Sequence, residues 1–255
     1  MENNRKLLLL ALTKYGRGLG ILGLFLFLCA GDIRYWNAWL YLAVFAVSSF
    51  SFGIYLYLND KDLLKKRLNS KEKEKEQNVY TYAAGISLLS MYGVCGLDYR
   101  FDWSHLPFSA VTIALIIMLA GFGLFVLTLI QNSFASRIVE IQDDQKVIDT
   151  GVYSVIRHPM YTAALAMFFA SPIVLGSYYA LVPTVFFLTG IIFRIGNEEK
   201  VLFEGLKGYS SYMLKVKYRL IPFIWQKGAD SGVAQLKQTG TTRYSARRAV
   251  AMQEY

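Results

Sequence analysis

Residues 41–58, 111–130 and 179–193 run without a single charged side chain. Each run amounts to about four or five helical turns. A soluble domain of 255 residues could build one good core, but it would not read as continuously apolar; runs like these leave a hydrocarbon surface that calls for lipid in place of water. In lipid the backbone must satisfy its own hydrogen bonds, so the runs are expected to be helices. A membrane barrel would show strict alternation over strands of about ten residues, and the sequence has none. With 55% hydrophobic residues and a mean hydropathy of +0.34, the expected fold class is all-α, a polytopic membrane helical bundle.

Six transmembrane helices are expected, at 15–30, 37–58, 79–97, 109–131, 160–175 and 179–195. Lys14 and Arg17 interrupt the first apolar stretch, so its membrane part is expected from Tyr15 onward, with Arg17 snorkelling. Trp36, Trp39, Tyr55 and Tyr57 bracket the second span as interfacial aromatics do. The last two spans are about sixteen residues each, against roughly twenty for a perpendicular crossing. With Pro172 and Gly176 near their junction, they read as a tight helical hairpin. Residues 1–130 then form the first four transmembrane helices. Residues 131–227 hold the hairpin, a cluster of motifs and a cytoplasmic surface helix. The polar, basic tail 228–255 lacks apolar periodicity and reads as disordered.

The formal net charge of +9 would suit nucleic acid, but its distribution excludes that partner. Of 27 Lys and Arg, all but Arg34 and Arg100 fall on one side of the expected spans. That bias puts both termini in the cytoplasm and makes the anionic lipid surface the partner of the basic face. No metal is expected: His105 has no second His or Cys near it, and Cys29 and Cys95 read as small buried hydrophobes. There is no Walker loop, zinc spacing or nucleophile elbow.

The chemistry-bearing residues cluster around the hairpin. Between spans four and five the chain reads Gly151-Val152-Tyr153-Ser154-Val155-Ile156-Arg157-His158-Pro159-Met160-Tyr161. Proline suits the first helical position and holds His158 extended before it. Arg157 and His158 therefore stand at the amino end of a helix, where free amides and the helix dipole favour an anionic group. The alternative is an Arg-His pair that merely anchors the helix. At the other end of the hairpin come Arg194-Ile195-Gly196-Asn197-Glu198-Glu199. Arg194 and Glu198, four apart, share a helix face. The hairpin returns these residues to the side of Arg157 and His158. Arg157, His158, Arg194 and Glu198 are expected at one rim, either as a site or as a snorkelling salt-bridge cluster. Tyr209, Tyr212, Tyr218 and Trp225 follow in a mixed segment, read as a surface helix and loop or as a lid.

These residues resemble a known family. The pattern G-x-Y-x-x-x-R-H-P-x-Y, then R-x-x-x-E-E, then Y-x-x-Y and Y-R-x-I-P is similar to the membrane methyltransferases that include isoprenylcysteine carboxyl methyltransferase and the phospholipid N-methyltransferases. The resemblance implies S-adenosyl-L-methionine bound in a cytoplasmic pocket, a lipophilic acceptor entering from the bilayer and, from the bacterial flavour of the loops, a bacterial inner membrane. Carried over by position, Gln145, Lys146, Val147, Ile148, Tyr153, His158, Pro159, Met160 and Tyr161 would contact the cofactor, and Glu198 would hold it from the opposite wall. Arg194 would grip the acceptor's anionic group. Arg194, Arg157 and Glu199 are the candidate catalytic residues. A carboxylate acceptor wants a guanidinium to orient it, whereas an amine must first lose a proton to a base such as His158 or Glu199. The residues permit either. Two other readings stand beside this one. Sterol reductases carry a comparable R-H-P and Y-R-x-x-P but use a nicotinamide cofactor, and the Glu198-Glu199 pair favours the methyltransferase branch. The other is a non-catalytic membrane protein on the same scaffold.

Overall fold

The computed structural model describes residues 2–68, 75–132, 134, 141 and 144–225. The tail 228–255 and the Lys/Glu-rich stretch 69–74 lie outside the described residues. Eight α-helices are described: α1 (Glu2–Ala30), α2 (Trp36–Asn59), α3 (Lys61–Leu68), α4 (Lys75–Phe101), α5 (Phe108–Gln131), α6 (Pro159–Val174), α7 (Leu181–Gly205) and α8 (Tyr209–Lys215), with a 3-10 turn at Gly151–Ser154. The chain is an all-α polytopic membrane protein. Among the described residues α1, α2, α5 and α7 are long and apolar enough to cross a membrane, and α6 is a shorter apolar helix. The sequence-based span at 79–97 is helical as part of α4, which carries Asp98 and Arg100 in its last turns and is not among those four.

Contacts between helix ends show that the long helices run back and forth between two ends of the bundle. At one end, Asp98 of α4 accepts hydrogen bonds from the Ser104 amide (2.7 Å) and hydroxyl (2.6 Å) and from the Ser177 hydroxyl in the α6–α7 turn. Asn37 at the start of α2 donates to the Val174 carbonyl at the end of α6, 2.8 Å. The opposite end gathers α3, the chain around residues 145–158, the last turns of α7, and α8.

Packing follows the demands of lipid rather than water. Leu24, Leu28, Ile113, Ile116, Val182 and Phe186 are exposed, as lipid-facing positions should be. The interior is held by tight apolar contact and a few satisfied polar groups. Tyr41, Met91, Cys95, Met118 and Val174 form its centre, and the Tyr41 and Tyr92 hydroxyls meet at 2.7 Å. α5 and α6 pack closely where Gly121 leaves little room for a Cβ against Ala163, Ala166 and Met167. A larger residue there would push the helices apart.

Two boundaries differ from the sequence reading. α1 is helical from Glu2, well before Tyr15, because Lys and Arg are good helix formers and interrupt hydropathy without interrupting a helix. The hairpin is asymmetric: α6 has sixteen residues as expected, but α7 has 25. α7 continues past its apolar part through Arg194, Glu198 and Glu199, and this extension positions the site.

Candidate functional site

Two pieces of backbone set the site's floor. The 3-10 turn opens at Gly151, whose φ of +57° favours glycine; the Gln131 side chain lies where a Cβ would be, and its Oε1 accepts from the Val152 amide at 2.9 Å. Asn132, which caps the end of α5, donates from Nδ2 to the Tyr153 hydroxyl at 3.0 Å. The next residues are strapped to the segment after α8: the Arg157 amide donates to the Tyr218 carbonyl and the His158 amide to the Arg219 carbonyl, both at 2.9 Å. Pro159 then opens α6 as expected from the sequence, while His158 before it, at φ −124° and ψ 60°, lies outside the helical region but short of the extended conformation expected.

Above that floor Glu199 is clasped by three side chains. Its Oε1 accepts from Arg157 Nε at 2.8 Å and lies 3.3 Å from His158 Nε2. Its Oε2 accepts from Arg219 Nε at 3.0 Å and Nη2 at 2.5 Å. Arg157 also donates from Nη1 to the Val216 carbonyl at 2.7 Å, and the Arg219 guanidinium lies 4.7 Å from the Trp225 ring centre. Glu199, Arg157 and His158 are all buried. The clasp ties α6, α7 and the 216–225 segment together.

Glu198, the next residue, points elsewhere. The Tyr161 hydroxyl donates to Glu198 Oε2 at 2.7 Å and accepts from Arg194 Nε at 2.9 Å. One phenol thus joins the two groups four residues apart on α7. They border a cavity with about 880 Å³ of empty space, open solvent at its mouth included. Gln145, Lys146, Val147, Ile148, Tyr153, Arg157, His158, Pro159, Met160, Tyr161, Arg194 and Glu198 all line it. Of the thirteen residues named from the sequence only Glu199 is absent from the wall, its carboxylate being taken up in the clasp.

The structure adds wall residues that the sequence reading passed over: Asn132, Phe134, Val201, Leu202 and Leu206. Their only sequence signal was position, just after an apolar span or in the extension of α7. Tyr209 and Tyr212, read from the sequence as surface or lid aromatics, also face the cavity. Arg219 was visible only as part of Y-R-x-I-P. From α3, Arg67 Nη2 reaches the sulfur of Met160 at 3.3 Å, with its guanidinium 5.2 Å from the Phe125 ring centre.

The cavity wall is mixed, with aromatic and apolar side chains set among charged and amide groups. Burial pushes the Tyr153 phenol up to about 12 and raises those of Tyr209 and Tyr212, so all three are neutral hydrogen-bonding groups at physiological pH. Outside, Lys215 bonds Asp149 at 2.7 Å and holds its carboxyl below the usual range.

Residues 109–207 match the family model for phospholipid methyltransferases. No curated protein matches the chain. Among solved structures, the chain is similar to the eukaryotic intramembrane Ras methyltransferase, isoprenylcysteine carboxyl methyltransferase. The TM-score is 0.53 at 20% identity, over 82% of this chain and 75% of that one. At that identity the likeness is one of fold.

Proposed function

We propose that this chain is a membrane methyltransferase like the phospholipid and isoprenylcysteine carboxyl methyltransferases it resembles over residues 109–207 and in fold, that its cavity binds S-adenosylmethionine and that a methyl group passes to a lipophilic acceptor entering from the bilayer. The observation that carries this reading is the meeting of the Arg157–Tyr161 turn and the Arg194–Glu199 turn around one cavity. The wall suits such a cofactor: Tyr153, Val147, Ile148 and Leu206 offer flat and apolar surface to a nucleoside, and Glu198 offers a carboxylate to sugar hydroxyls or to positive charge.

S-adenosylmethionine, when bound, supplies an activated methyl group on a sulfonium. The chain's residues need only bring the acceptor into line and keep water out. Arg194, on the cavity wall and fixed by Tyr161, is placed to orient an anionic acceptor. Arg157 and Glu199, candidates for catalysis from the sequence, act as positioning residues in this reading: they bond each other and hold the wall. His158 and Glu199 were the candidate bases for an amine acceptor. Glu199 is surrounded by two guanidiniums and an imidazole, so its ionised form is stabilised and its basicity weakened. With Glu199 taken up in the clasp and His158 Nε2 turned onto it, the site is better suited to an acceptor that arrives ionised, such as a lipid-linked carboxylate. A phospholipid amine is the second reading, favoured by the matched family model.

In this reading six helices cross the membrane: α1, α2, α4, α5 and the pair α6–α7, with the cavity on the cytoplasmic side of a bacterial inner membrane. Both termini lie on that side, and α8 lies along the cytoplasmic surface. The region 131–227 is the catalytic unit, on an N-terminal helical support.

The test is purified protein with methyl-labelled S-adenosylmethionine and total membrane lipid. Label should enter a lipid fraction and leave as methanol on mild alkaline treatment, the mark of a methyl ester. Alkali-stable label in an amine-containing lipid would select the second reading. No transfer to any lipid would reject both.

A further inference from the structure

Two polar atoms buried beside the cavity have no hydrogen-bond partner among the described residues: Nη2 of Arg157 and the hydroxyl of Tyr209. Arg157 is 3% exposed and Tyr209 4%, and both residues line the same cavity. They come from different parts of the chain, the turn before α6 and the first residue of α8. Every other nitrogen of the Arg157 side chain is engaged: Nε on Glu199, and Nη1 on the Val216 and Lys217 carbonyls. Leaving a buried donor unmatched costs more than a typical hydrogen bond gains, and buried groups of this kind are matched almost everywhere in folded proteins. A guanidinium N–H and a phenol O–H on residues lining one cavity call for an acceptor that takes two donors at once.

The charge around them says which acceptor. Within the clasp, two guanidiniums, Arg157 and Arg219, share the single carboxylate of Glu199. One positive charge is left over in a buried setting, where it is worth more than in water. A neutral acceptor such as a ribose oxygen or a ring nitrogen would satisfy the hydrogen bonds and leave that charge unmet; a carboxylate satisfies both.

We infer that Arg157 Nη2 and the Tyr209 hydroxyl form a carboxylate-binding corner of the cavity that receives the amino-acid carboxylate of S-adenosylmethionine. The inference rests on the proposed function and extends it to two residues with no cofactor contact assigned. The acceptor's own carboxylate is the rival occupant. Arg194 serves it better, being joined through Tyr161 to Glu198 on α7, whereas Tyr209 shares its side of the cavity with Leu206 and Val147, next to the 145–148 segment. The neutral Tyr209 phenol can donate to the carboxylate while the guanidinium supplies the charge.

The test is equilibrium binding to the purified protein in detergent or lipid nanodiscs, without acceptor and without turnover. The probes are S-adenosylmethionine and its decarboxylated analogue, which keeps the nucleoside, sulfonium and amine but lacks the carboxylate. Tyr209→Phe should weaken S-adenosylmethionine about tenfold and leave the analogue's affinity unchanged. Arg157→Lys should do the same if it folds; since Arg157 also holds Glu199, Tyr209→Phe carries the decision. Equal weakening of both probes, or no weakening of either, overturns the corner. So does an unchanged cofactor affinity, and if a separate turnover assay of Tyr209→Phe then shows a raised KM for the lipid acceptor, the corner belongs to the acceptor. If the unsubstituted protein binds neither probe, the proposed function itself fails, and the corner with it.

Discussion

Arg157 and Glu199, 42 residues apart, form a buried ion pair with Nε and Oε1 at 2.8 Å. The pair fastens the start of α6 to the extension of α7 and, through Arg219, fastens both to the segment after α8. An ion pair shut away from water adds little net stability compared with apolar packing, but breaking it from one side leaves a charge stranded. Its consequence here is geometric: with Glu199 held, Glu198 and Arg194 are set at the cavity wall.

Glu199→Gln removes the only charge that matches Arg157 and Arg219 in the clasp. Loss of one partner from a buried pair costs about 3–5 kcal/mol, so the thermal unfolding midpoint of the purified protein should fall by several degrees. Glu199→Asp, which keeps the charge, should recover part of the loss. An unchanged midpoint for Glu199→Gln would show that the clasp does not hold these elements together.

Tyr161→Phe deletes one hydroxyl that serves two side chains, donating to Glu198 and accepting from Arg194. The ring still fills its place in the core, so the fold should persist. Misplacing a positioned group by about an ångström can cost on the order of a hundredfold in rate, and methyl transfer should drop by about ten- to a hundredfold, with both kcat and the KM for acceptor affected. Transfer at the unsubstituted rate would remove Tyr161 from the account.

Gly151→Ala forces a side chain into the left-handed region, at about 1–2 kcal/mol, and drives its Cβ against Gln131. The turn carrying Tyr153 should shift. Cofactor affinity, read by titration, should weaken more than the unfolding midpoint falls. A full-strength binder would mean that this turn is not part of the site.

Sidedness can be read with cysteines at two exposed positions, Lys65→Cys and His105→Cys, both with side chains more than half exposed. A membrane-impermeant maleimide applied to intact cells should label His105→Cys and spare Lys65→Cys, which should react only after the membrane is opened. The reverse pattern would put the cavity on the outer face.

Much of this was legible in the sequence. The uncharged runs gave the helices, and Pro159 gave the start of α6 to the residue. The meeting of Arg157, His158, Arg194 and Glu198 could be read because a hairpin must return to the side it left. What escaped has one physical cause: sequence shows adjacency but not which way a side chain turns. Glu198 and Glu199 are neighbours, yet successive residues on a helix of 3.6 residues per turn point about 100° apart. One faces the cavity and the other the clasp, so Glu199, named from the sequence as a catalytic candidate beside Glu198, is turned away from the wall. Arg219 completes the clasp from 20 residues further on, a distance no local pattern spans. The apolar span alone ends α7 near residue 195, because hydropathy marks where lipid ends; the shared face of Arg194 and Glu198 already carried the helix further, and it runs on to Gly205.

The central claim is that the cavity between these two turns holds S-adenosylmethionine. Equilibrium binding of that compound to the purified protein tests it most directly, with Glu198→Ala as the variant in the wall and Asp149→Ala, at the exposed Lys215 contact, as the control. Saturable binding at one site, weakened at least about tenfold by Glu198→Ala and untouched by Asp149→Ala, is the expected result. No saturable binding, or binding that survives Glu198→Ala at full strength, would contradict it.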